Sequence, residues 1–490
     1  MSKISAYRRT YGQYFTPESV VACCYALLAG RLPPTPSIVD PACGDGAFLR
    51  YAAMRGLAAA HDLHGCDVDS ALVGELTSAG LPNIRCADGL DLASLPVAAF
   101  DLVVGNPPYG VTVTPSDGRP LASEARFLLR ALDLARPGGY VALVLPSGVL
   151  ANERLRCLRA ELLERCTLLA VVALPRAAFR QTGTSAACSI LLLQHAPAPP
   201  DHQVFFALAE SLDALPSITT AFHQHSRADA HFPNTQFWVP QTGALTQRMD
   251  AHFWRPELRL VLEQLAAHHD IRPLGELVGR RGLIVGDHVR PSRGESKGAG
   301  LPYEYYQTRE FLPAGYNYAA VERCDERAYR RLARTAVRQG DILVSCAGVG
   351  GAGQGRVCLV THRPGPSCTG DVFTLRATTP DPTYLFLFLS SRGGRAQLLR
   401  LQNGVGTANL SADELLQVQV PLLPDPAQRA FAARYAPVAA AHDAAIAALA
   451  SGDLLGFASE QARSQAQLEA LRRDLEAVVL GSENGRWLHI

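Results

Sequence analysis

The sequence lacks the features that define several classes of protein. It has no Cys-x2-Cys pair and no cluster of Cys and His at the spacing of a zinc site. Its 12 cysteines are scattered over 490 residues, a usage typical of buried thiols in a reducing cytosol rather than of a disulfide scaffold. No apolar run approaches the roughly 20 residues of a membrane span, and the N-terminus has no apolar signal core. We therefore expect a cytoplasmic protein with no membrane segment and no metal site.

An excess of either charge is also missing. The sequence has 46 Lys and Arg against 45 Asp and Glu, which gives a formal net charge of +1. Overall charge therefore identifies no anionic partner, and the distribution of charge along the chain has to be considered instead. Hydrophobic residues make up 48% and charged residues 19%, as in ordinary soluble globular proteins. The length predicts about two to three domains.

Short apolar strands alternate with helical segments between residues 37 and 195. Such an alternation predicts an α/β domain with a mainly parallel, doubly wound, Rossmann-like sheet, whose ligands bind at the carboxyl ends of its strands. Helices are predicted over Ala47–Arg55 and Ser123–Ala135, the second ending at a Pro-Gly-Gly stop signal. The predicted strands are Ser37–Asp40, Asp62–Cys66, Asn83–Cys86, Asp101–Gly105, Tyr140–Leu145, Leu168–Leu174 and Ala187–Gln194.

The first strand ends in Asp-Pro-Ala-Cys-Gly-Asp-Gly-Ala-Phe, residues 40–48. Gly44 and Gly46 permit a tight turn and the close approach of a ligand to the backbone. Asp67 follows at the next strand end, where a carboxylate suits the two hydroxyls of a ribose; it could also be an acid favoured by a helix N-terminus. No third glycine prepares a pyrophosphate site. A nucleoside without phosphate, such as S-adenosylmethionine (AdoMet), therefore fits better.

A further strand leads directly into Asn106-Pro107-Pro108-Tyr109. Two consecutive prolines exclude helix and extend the chain beyond the strand. The Asn106 side chain and the Pro107 carbonyl can each accept a hydrogen bond, and the ring of Tyr109 can lie on a flat heterocycle. Two acceptors beside a ring suit the exocyclic NH2 group of a base or an amide, although Asn-Pro also begins ordinary turns.

These motifs, in this order over residues 11–195, resemble the gamma-class DNA amino-methyltransferases. The resemblance implies that Thr16 meets the methionine carboxylate of AdoMet, that Asp67 binds its ribose and that Asp88 lies beside its adenine. The cofactor-binding residues that it implies are Tyr14, Thr16, Asp40, Ala42, Gly44, Asp67, Asp88 and Asn106.

The resemblance also implies a mechanism. The target base is rotated out of duplex DNA, and Tyr109 and Phe179 stack on it. Asn106 and the Pro107 carbonyl hold the amino hydrogens, so Asn106, Pro107 and Tyr109 are the implied catalytic residues and no catalytic Cys is required. Phe179 precedes Thr182-Gly183-Thr184 in a late motif, and could equally be a core phenylalanine. Asn at position 106 favours adenine N6, and cytosine N4 stays open as an alternative.

Residues 196–248 are richer in Pro, His and polar groups, and predict the tail of the first domain and a linker. From residue 249 to 428, strand-like segments and a glycine cluster occur in an order that resembles a target recognition domain of Type I restriction specificity subunits. Arginines are dense between residues 272 and 363. These arginines could form an ordinary solvated surface, but the resemblance implies duplex DNA as the partner. The implied DNA contacts are Arg290, Arg293, Lys297, Arg309 and Arg356.

The chain after Pro426 is rich in alanine and is predicted to be helical to about Leu480. Leu454, Leu468, Leu471 and Leu475 give this helix a partial apolar face, which either supports the recognition domain or forms a homodimer. We therefore predict a methyltransferase domain over residues 1–245, an α+β recognition domain over 246–425 and a helical segment over 426–490.

Related single-chain restriction enzymes carry a nuclease domain ahead of the methyltransferase. Here the cofactor motif begins at Tyr11, so we expect modification without cleavage, by an orphan enzyme or beside a separate restriction endonuclease. Two other functions stay open. One is methylation of an RNA or of a protein glutamine, and the other is a specificity module that binds DNA without catalysis.

Overall fold

The computed structural model describes residues 15–110, 112–113, 121–179, 186–224, 235–286, 300–348, 355–369, 372–401 and 408–481. They belong to two compact units, one extending to Pro256 and one beginning at Glu257. The domain limits 1–245, 246–425 and 426–490 stay a prediction.

The first unit is built on one nine-stranded sheet. Its strands are β1 (Ile38–Asp40), β2 (Leu63–Asp67), β3 (Asn83–Cys86), β4 (Phe100–Gly105), β7 (Ala135–Pro146), β8 (Thr167–Ala173), β9 (Cys188–Gln194), β10 (Gln203–Leu208) and β11 (Gln236–Pro240), beside a small hairpin of β5 (Thr112–Val113) and β6 (Leu121–Ala122). The strand order across the sheet is β11-β10-β8-β9-β7-β4-β1-β2-β3.

Helices cover both faces of this sheet, so its central strands are buried on both sides. The helices of the first unit are α1 (Glu18–Leu27), α2 (Ala47–Met54), α3 (Ser70–Ser78), α4 (Ser123–Leu134), α5 (Ser147–Ala151), α6 (Arg156–Arg165) and α7 (Leu215–His223). Every residue of β8 is buried, and two apolar clusters lie in the unit, one around Val104 and Ile190 and the other around Val103 and Leu191. This alternation confirms the predicted doubly wound α/β fold.

The topology places a ligand site at the ends of three neighbouring strands. β1 pairs in parallel with β2 on one side and with β4 on the other, so the strand order reverses at β1. Ligands of open α/β sheets bind outside the carboxyl ends of the strands at such a switch point. Those ends here are Asp40, Asp67 and Gly105.

Residues 196–248 belong to the first unit, as predicted for the tail of the first domain, but the interpretation of part of them as a linker is wrong. Residues 203–208 form β10, which pairs in parallel with β8, and residues 236–240 form β11, which pairs antiparallel with β10. Both strands extend the sheet and bury Phe205, Phe206 and Phe237. The Pro- and His-rich flanks conceal these strands in the sequence, since it is pairing with β8 that makes them strands.

A buried arginine joins the last part of the first unit to α6. The side chain of Arg159 is fully buried and donates to the carbonyls of Thr246 (2.9 Å), Gln247 (2.7 Å), Asn152 (2.8 Å) and Val149 (3.2 Å). Burial lowers the pKa of Arg159 to about 10, so it stays a cation at neutral pH and is stabilised by four carbonyl dipoles.

The second unit combines short strands with helices. Its strands are β12 (Ile271–Pro273), β13 (Leu283–Val285), β14 (Tyr303–Tyr306), β15 (Phe311–Leu312), β16 (Gly315–Tyr316), β17 (Glu322–Cys324), β18 (Ile342–Ser345), β19 (Ala347–Gly348), β20 (Val357–Leu359), β21 (Ser367–Thr369), β22 (Val372–Leu375), β23 (Ala408–Asn409) and β24 (Gln419–Pro421). The larger sheets have the orders β13-β22-β18-β20 and β17-β14-β21. The predicted α+β character of this part of the chain is confirmed.

The helices of the second unit include two long ones at its end. They are α8 (Pro256–His268), α9 (Leu274–Gly282), α10 (Glu326–Leu332), α11 (Pro382–Ser390), α12 (Arg392–Leu401), α13 (Ala412–Leu415), α14 (Asp425–Ser451) and α15 (Leu454–Leu480). The segment α9 is interrupted at Gly279, whose φ is 61°. Positions 275–278 lie in this helix, although they belong to the region from residue 249 in which the sequence predicts strand-like segments.

The alanine-rich C-terminal segment forms two helices rather than one. Gly452, with φ 83°, ends α14, and α15 begins at Leu454. Leu468, Leu471 and Leu475 are buried as predicted, but Leu454 is 68% exposed and does not belong to the apolar face. Tyr435 donates to the Ala314 carbonyl and Arg472 donates to Ser390, so both helices pack on other elements of the second unit.

Among the helices that the structure describes, none is long and apolar enough to cross a membrane.

Candidate active site

The glycine turn after β1 is held by its own carboxylates. Asp40 is buried, and its Oδ1 accepts a hydrogen bond from the amide of Ala42 at 3.1 Å. Gly44 and Gly46 have φ values of 53° and 76°, which glycine adopts at no steric cost. The turn thus exposes backbone groups at the switch point, as the sequence predicts.

Asp67 ties this turn to the next strand. Its Oδ2 accepts from the amide of Gly44 at 2.8 Å, and its Oδ1 accepts from the amide of Asp69 at 2.9 Å. The Cys43 amide also donates to the Cys66 carbonyl at 2.9 Å. Each carboxylate oxygen can accept more than one hydrogen bond, so Asp67 is oriented by backbone and retains acceptor capacity for the two hydroxyls of a ribose.

The turn brings several carboxyl groups together. Burial, with smaller contributions from the neighbouring Asp67 and Asp45, raises the pKa of Asp40 to about 8 against the lowering effect of the Ala42 amide. Asp40 is therefore largely protonated at neutral pH. Burial also raises the pKa of Asp67 and of Asp45. The carboxyl groups of Asp45 and Asp67 disfavour a phosphorylated ligand and favour a cationic one.

The segment that carries Asp88 lies against the glycine turn through a close backbone contact. A Cβ atom on Gly89 would lie 1.8 Å from the Pro41 carbonyl oxygen, so only glycine allows this segment to lie against the turn. Asp88 is exposed, and its Oδ1 accepts from the Leu90 amide at 2.9 Å. The buried Arg130 of α4 donates to the carbonyls of Gly89 (3.1 Å) and Leu95 (2.9 Å) and fixes the loop.

The Asn-Pro-Pro-Tyr motif lies at the carboxyl end of β4, next to the N-terminal motif. Asn106 Nδ2 donates to Thr16 Oγ1 at 3.1 Å, although the two residues are 90 positions apart in sequence. The amide is thereby oriented, with its nitrogen towards Thr16 and its oxygen on the other side. The predicted catalytic residue and the residue assigned to the methionine carboxylate are thus in direct contact.

The start of α4 holds the rest of this motif. The buried Ser123 donates to the Pro108 carbonyl at 2.8 Å, and the Gly110 amide donates to Glu124 Oε2 at 3.2 Å. Ser123 also lies 3.2 Å from the same carboxylate oxygen. The carbonyl of Pro108 is therefore engaged within the protein, which distinguishes it from the Pro107 carbonyl to which the sequence assigns a catalytic role.

Tyr109 and Phe179 both lie in one apolar cluster of the first unit. Tyr109 is 8% exposed and Phe179 is 1% exposed. Burial, opposed by the nearby Tyr109 side chain, raises the pKa of the Cys188 thiol to about 12. Phe179 has the burial of a core residue. Stacking of Tyr109 and Phe179 on a base stays a prediction.

Several predicted residues lie outside the described part of the chain. These are Tyr14 of the N-terminal motif, Thr182-Gly183-Thr184 of the late motif and the DNA-contact candidates Arg290, Arg293 and Lys297.

Two of the DNA-contact candidates are described. Arg309 is 61% exposed and forms ion pairs with Glu310 and, at 3.6 Å, with Glu322, so much of its charge is matched within the protein. Arg356 donates to the Phe311 carbonyl and lines a cavity in the second unit. Both remain candidates for a DNA contact.

The sequence does not predict Ser123, Glu124 or Arg130 as site residues. A Ser-Glu pair at the start of a predicted helix is a signal for the first two, because such residues commonly bind backbone groups at helix N-termini. Arg130 lies between Leu128 and Leu132 on an apolar helix, and a charged residue at such a position is buried only when it is paired.

Within the described ranges, no group of three or more His, Cys, Asp and Glu side chains could hold a metal ion. The arrangement does fit AdoMet. Asp67 has acceptor capacity for a ribose, and Gly89 leaves Asp88 beside the turn. The carboxyl group of Asp45 in the same turn suits a positively charged group of AdoMet.

Comparison with known proteins agrees with this arrangement. Residues 2–226 match the N-6 DNA Methylase family. "Defense against restriction protein B" of Escherichia phage P1 is 25% identical over 194 residues, which are 38% of this chain and 8% of that protein. The chain therefore spans less than a tenth of the curated relative it matches.

Solved structures resemble the chain at low sequence identity. The Type IIL restriction-modification enzyme MmeI, in complex with DNA, is 12% identical with a TM-score of 0.53, over 94% of this chain and 73% of that one. A type I restriction-modification methyltransferase subunit from Streptococcus thermophilus is 21% identical with a TM-score of 0.40, over 47% of this chain and 56% of that one. The first unit therefore has an AdoMet-dependent methyltransferase fold, and its sequence matches the N-6 DNA Methylase family.

Proposed function

We propose that the chain is a site-specific DNA methyltransferase that transfers a methyl group from AdoMet to the N6 amino group of adenine in duplex DNA. The observation that carries the proposal is the hydrogen bond from Asn106 to Thr16. This bond connects the Asn-Pro-Pro-Tyr motif, which suits an amino group, with the residue assigned to the methionine carboxylate of AdoMet. The match of residues 2–226 to the N-6 DNA Methylase family supports the same reaction.

In this proposal, AdoMet when bound supplies an electrophilic methyl carbon on a sulfonium. Thr16 binds the methionine carboxylate, Asp67 accepts from the ribose hydroxyls and Asp88 lies beside the adenine ring. The backbone of Ala42 and Gly44, held by Asp40 and Asp67, shapes the surface on which the nucleoside lies. We propose Tyr14 as a cofactor-binding residue on the basis of the N-terminal sequence motif alone.

The chain acts on the target base by holding its amino group. The lone pair of an exocyclic amine is conjugated into the ring, so the amine is a poor nucleophile. Asn106 and the Pro107 carbonyl accept its two hydrogens, which draws the nitrogen towards a pyramidal geometry and directs its lone pair at the methyl carbon. Holding the reacting atoms about 3–3.5 Å apart accounts for much of the rate. No general base is needed before attack.

The target base has to leave the duplex to reach this motif, at a cost of a few kcal/mol. Stacking on Tyr109 offsets part of that cost, about 1–3 kcal/mol per base. We propose Phe179 as a second stacking residue, which requires it to leave the apolar cluster when the base enters.

The second unit is proposed as the recognition unit. Its resemblance to specificity-subunit domains and its arginines support binding of double-stranded DNA. The methylation would serve restriction and modification, by an orphan enzyme or beside a separate endonuclease, with the chain as a monomer or as a homodimer through its C-terminal helices.

The test is nucleoside mass spectrometry on DNA from a modification-free host that expresses the chain. N6-methyladenine is expected, and long-read sequencing of the same DNA then gives the recognition site. N4-methylcytosine would contradict the choice of base while keeping the fold and the mechanism. Neither product, from soluble protein, would contradict the proposal and favour an RNA or protein glutamine substrate.

The matched control is Asn106→Ala in the same host. Loss of one hydrogen-bonding group in a reacting site lowers kcat by about 10²–10³-fold, so the methylated nucleoside should disappear while purified protein still binds duplex DNA. Asn83→Ala, which removes only an exposed bond to the His61 carbonyl, should keep full activity. Activity of Asn106→Ala equal to that of Asn83→Ala would contradict the mechanism.

A further inference from the structure

The second unit contains a cavity of about 320 Å³, and its lining includes Arg356, one of the DNA-contact candidates. It lies among α15, the end of α11, the start of α12, the segment after β15 and the start of β20. Its volume is at the lower end of small-molecule sites, about 300–1,000 Å³. Three arginines line it: Arg356, Arg395 and Arg472.

Two of these arginines are fixed by neutral acceptors. Arg472 donates from Nε to Ser390 Oγ at 3.0 Å and from a terminal nitrogen to the Pro313 carbonyl at 3.3 Å. Arg356 donates to the Phe311 carbonyl. Hydrogen bonds to hydroxyl and carbonyl oxygens orient a guanidinium without cancelling its charge.

Carboxylates pair with other arginines of the unit but not with these three. Arg376 lies 2.7 Å from Asp341 and Arg392 lies 3.8 Å from Glu476. Over the part of the second unit that the structure describes, no carboxylate lies within 4.0 Å of the guanidinium of Arg356, Arg395 or Arg472. Glu469 is the acid among the lining residues, so the walls carry three positive charges against one negative charge.

We propose that this cavity binds a phosphate group. A phosphate carries up to about two negative charges and three strong acceptor oxygens, and the planar fork of arginine matches those oxygens better than lysine does. The group could come from the DNA backbone or from a small phosphorylated molecule, which present the same oxygens. The proposal concerns the second unit alone and does not depend on methyl transfer.

The electrostatics of the cavity support this assignment. Burial, followed by the like charge of Arg395, lowers the pKa of Arg472 to about 10, while Tyr435, Glu476 and Glu469 raise it. Two arginines that repel each other inside one cavity lower the stability of the unit. A bound phosphate would attract both arginines and offset their repulsion. Binding of phosphate would therefore explain why two arginines are placed in one cavity.

The first experiment is calorimetry on the full chain with inorganic pyrophosphate as the probe. Arg395→Gln is the principal variant, because Arg395 is exposed and its removal leaves the packing intact. Arg392→Gln is the matched control, since it lies one turn earlier on α12 and its charge is paired. We expect unchanged affinity for Arg392→Gln and about a tenfold loss for Arg395→Gln, as for a hydrogen bond to a charged group.

Arg472→Gln should give a loss at least as large, provided that its unfolding transition shows a folded protein. Absence of pyrophosphate binding by the unmodified chain, or equal binding by Arg395→Gln and Arg392→Gln, would overturn the proposal.

A second arm distinguishes the two sources of phosphate. The affinity of each variant for a short DNA duplex is measured at several salt concentrations. If the cavity holds a backbone phosphate, Arg395→Gln weakens DNA binding and lowers the salt slope by about one, and pyrophosphate competes with DNA. If the ligand is a small molecule, DNA binding is unchanged while pyrophosphate binding is lost. Both results support the cavity as a phosphate site. Neither result depends on the outcome of the test for adenine methylation.

Discussion

The acidic turn of the first unit and the basic cavity of the second unit hold their charges in opposite ways. In the turn, the carboxylates of Asp40 and Asp67 accept hydrogen bonds from backbone amides. In the cavity, the guanidiniums of Arg356 and Arg472 donate to carbonyl and hydroxyl oxygens. Neutral groups fix the geometry in both places, so each site keeps a net charge that selects the sign of its ligand.

The two sites differ in how far apart their partners are in sequence. Asp40 and Ala42 are 2 positions apart and Asp67 and Gly44 are 23 apart, whereas Arg472 is 82 positions from Ser390 and 159 from Pro313. A site made of strand-end loops follows from local backbone chemistry. A site made by packing distant helices and strands depends on the complete tertiary fold, and is therefore sensitive to core substitutions.

The largest effect is expected from such a core substitution in α15. Leu471→Ala removes a buried side chain next to Arg472 and should lower the free energy of unfolding by about 2–5 kcal/mol, measured by urea denaturation. Leu455→Ala, on the same helix but 86% exposed, should change it by less than about 0.5 kcal/mol. Equal costs would show that α15 is not packed as described, and would remove the basis of the cavity.

A backbone substitution should damage the acidic turn more selectively. Gly89→Ala forces a Cβ atom against the Pro41 carbonyl, and such overpacking costs about 1–3 kcal/mol. We expect AdoMet binding, measured by calorimetry, to weaken by about tenfold or more while the far side of the sheet stays folded. Gly74→Ala in α3 meets nothing within 4 Å and should be neutral or slightly stabilising. Retained AdoMet affinity in Gly89→Ala would contradict the placement of this segment.

The charge of the turn predicts a dependence of stability on pH. Burial raises the pKa of Asp40 to about 8, so the folded state binds a proton that the unfolded state releases above about pH 4. The contribution to stability is complete below pH 4 and is lost as pH rises towards 8. Each unit of pKa difference is worth about 1.4 kcal/mol, so a loss of at least that size is expected.

Asp40→Asn removes the titrating group and should flatten this part of the profile, measured as urea midpoints between pH 5 and about 8.5. A variant profile as steep as that of the unmodified chain would assign the effect to another group.

The smallest effect is expected at the start of α4. Ser123→Ala removes the hydrogen bond to the Pro108 carbonyl, worth about 0.5–1.5 kcal/mol. If Ser123 positions the Asn-Pro-Pro-Tyr motif, kcat should fall about threefold to tenfold with little change in the KM for AdoMet. Ser217→Ala, which removes a comparable bond in an exposed turn, should leave kcat unchanged. A change confined to thermal stability would assign Ser123 a structural role only.

The sequence predicts those parts of the fold that depend on short segments. The bounds of β3 agree with the prediction at both ends and those of β1 differ by one residue, because apolar runs there end at turn residues. β10 and β11 could not be predicted, since their strand character comes from pairing with β8. Asp40, Asp67 and Asn106 come to one sheet edge as expected, because strand order alone brings them there.

Residues that act across the fold were not predictable in this way. Arg130 and Ser123 gain their roles from carbonyls that only the folded chain places beside them. The burial of Phe179 likewise follows from packing, since the sequence allows both a core position and an accessible ring. Leu454 fails as a member of the apolar face because a helix start at Gly452-Asp453 sets a new helical phase.

The four carbonyls around Arg159 limit where the second unit can be exchanged between related genes. Two of those carbonyls, at Thr246 and Gln247, come from the last part of the first unit. A chimaera joined at residue 245 would leave a buried cation dependent on acceptors from a foreign chain, whereas a junction after Pro256 would keep the complete set. Recombination that exchanges the second unit would therefore be tolerated on the C-terminal side of this cluster, where the crossover does not separate Arg159 from its carbonyl partners.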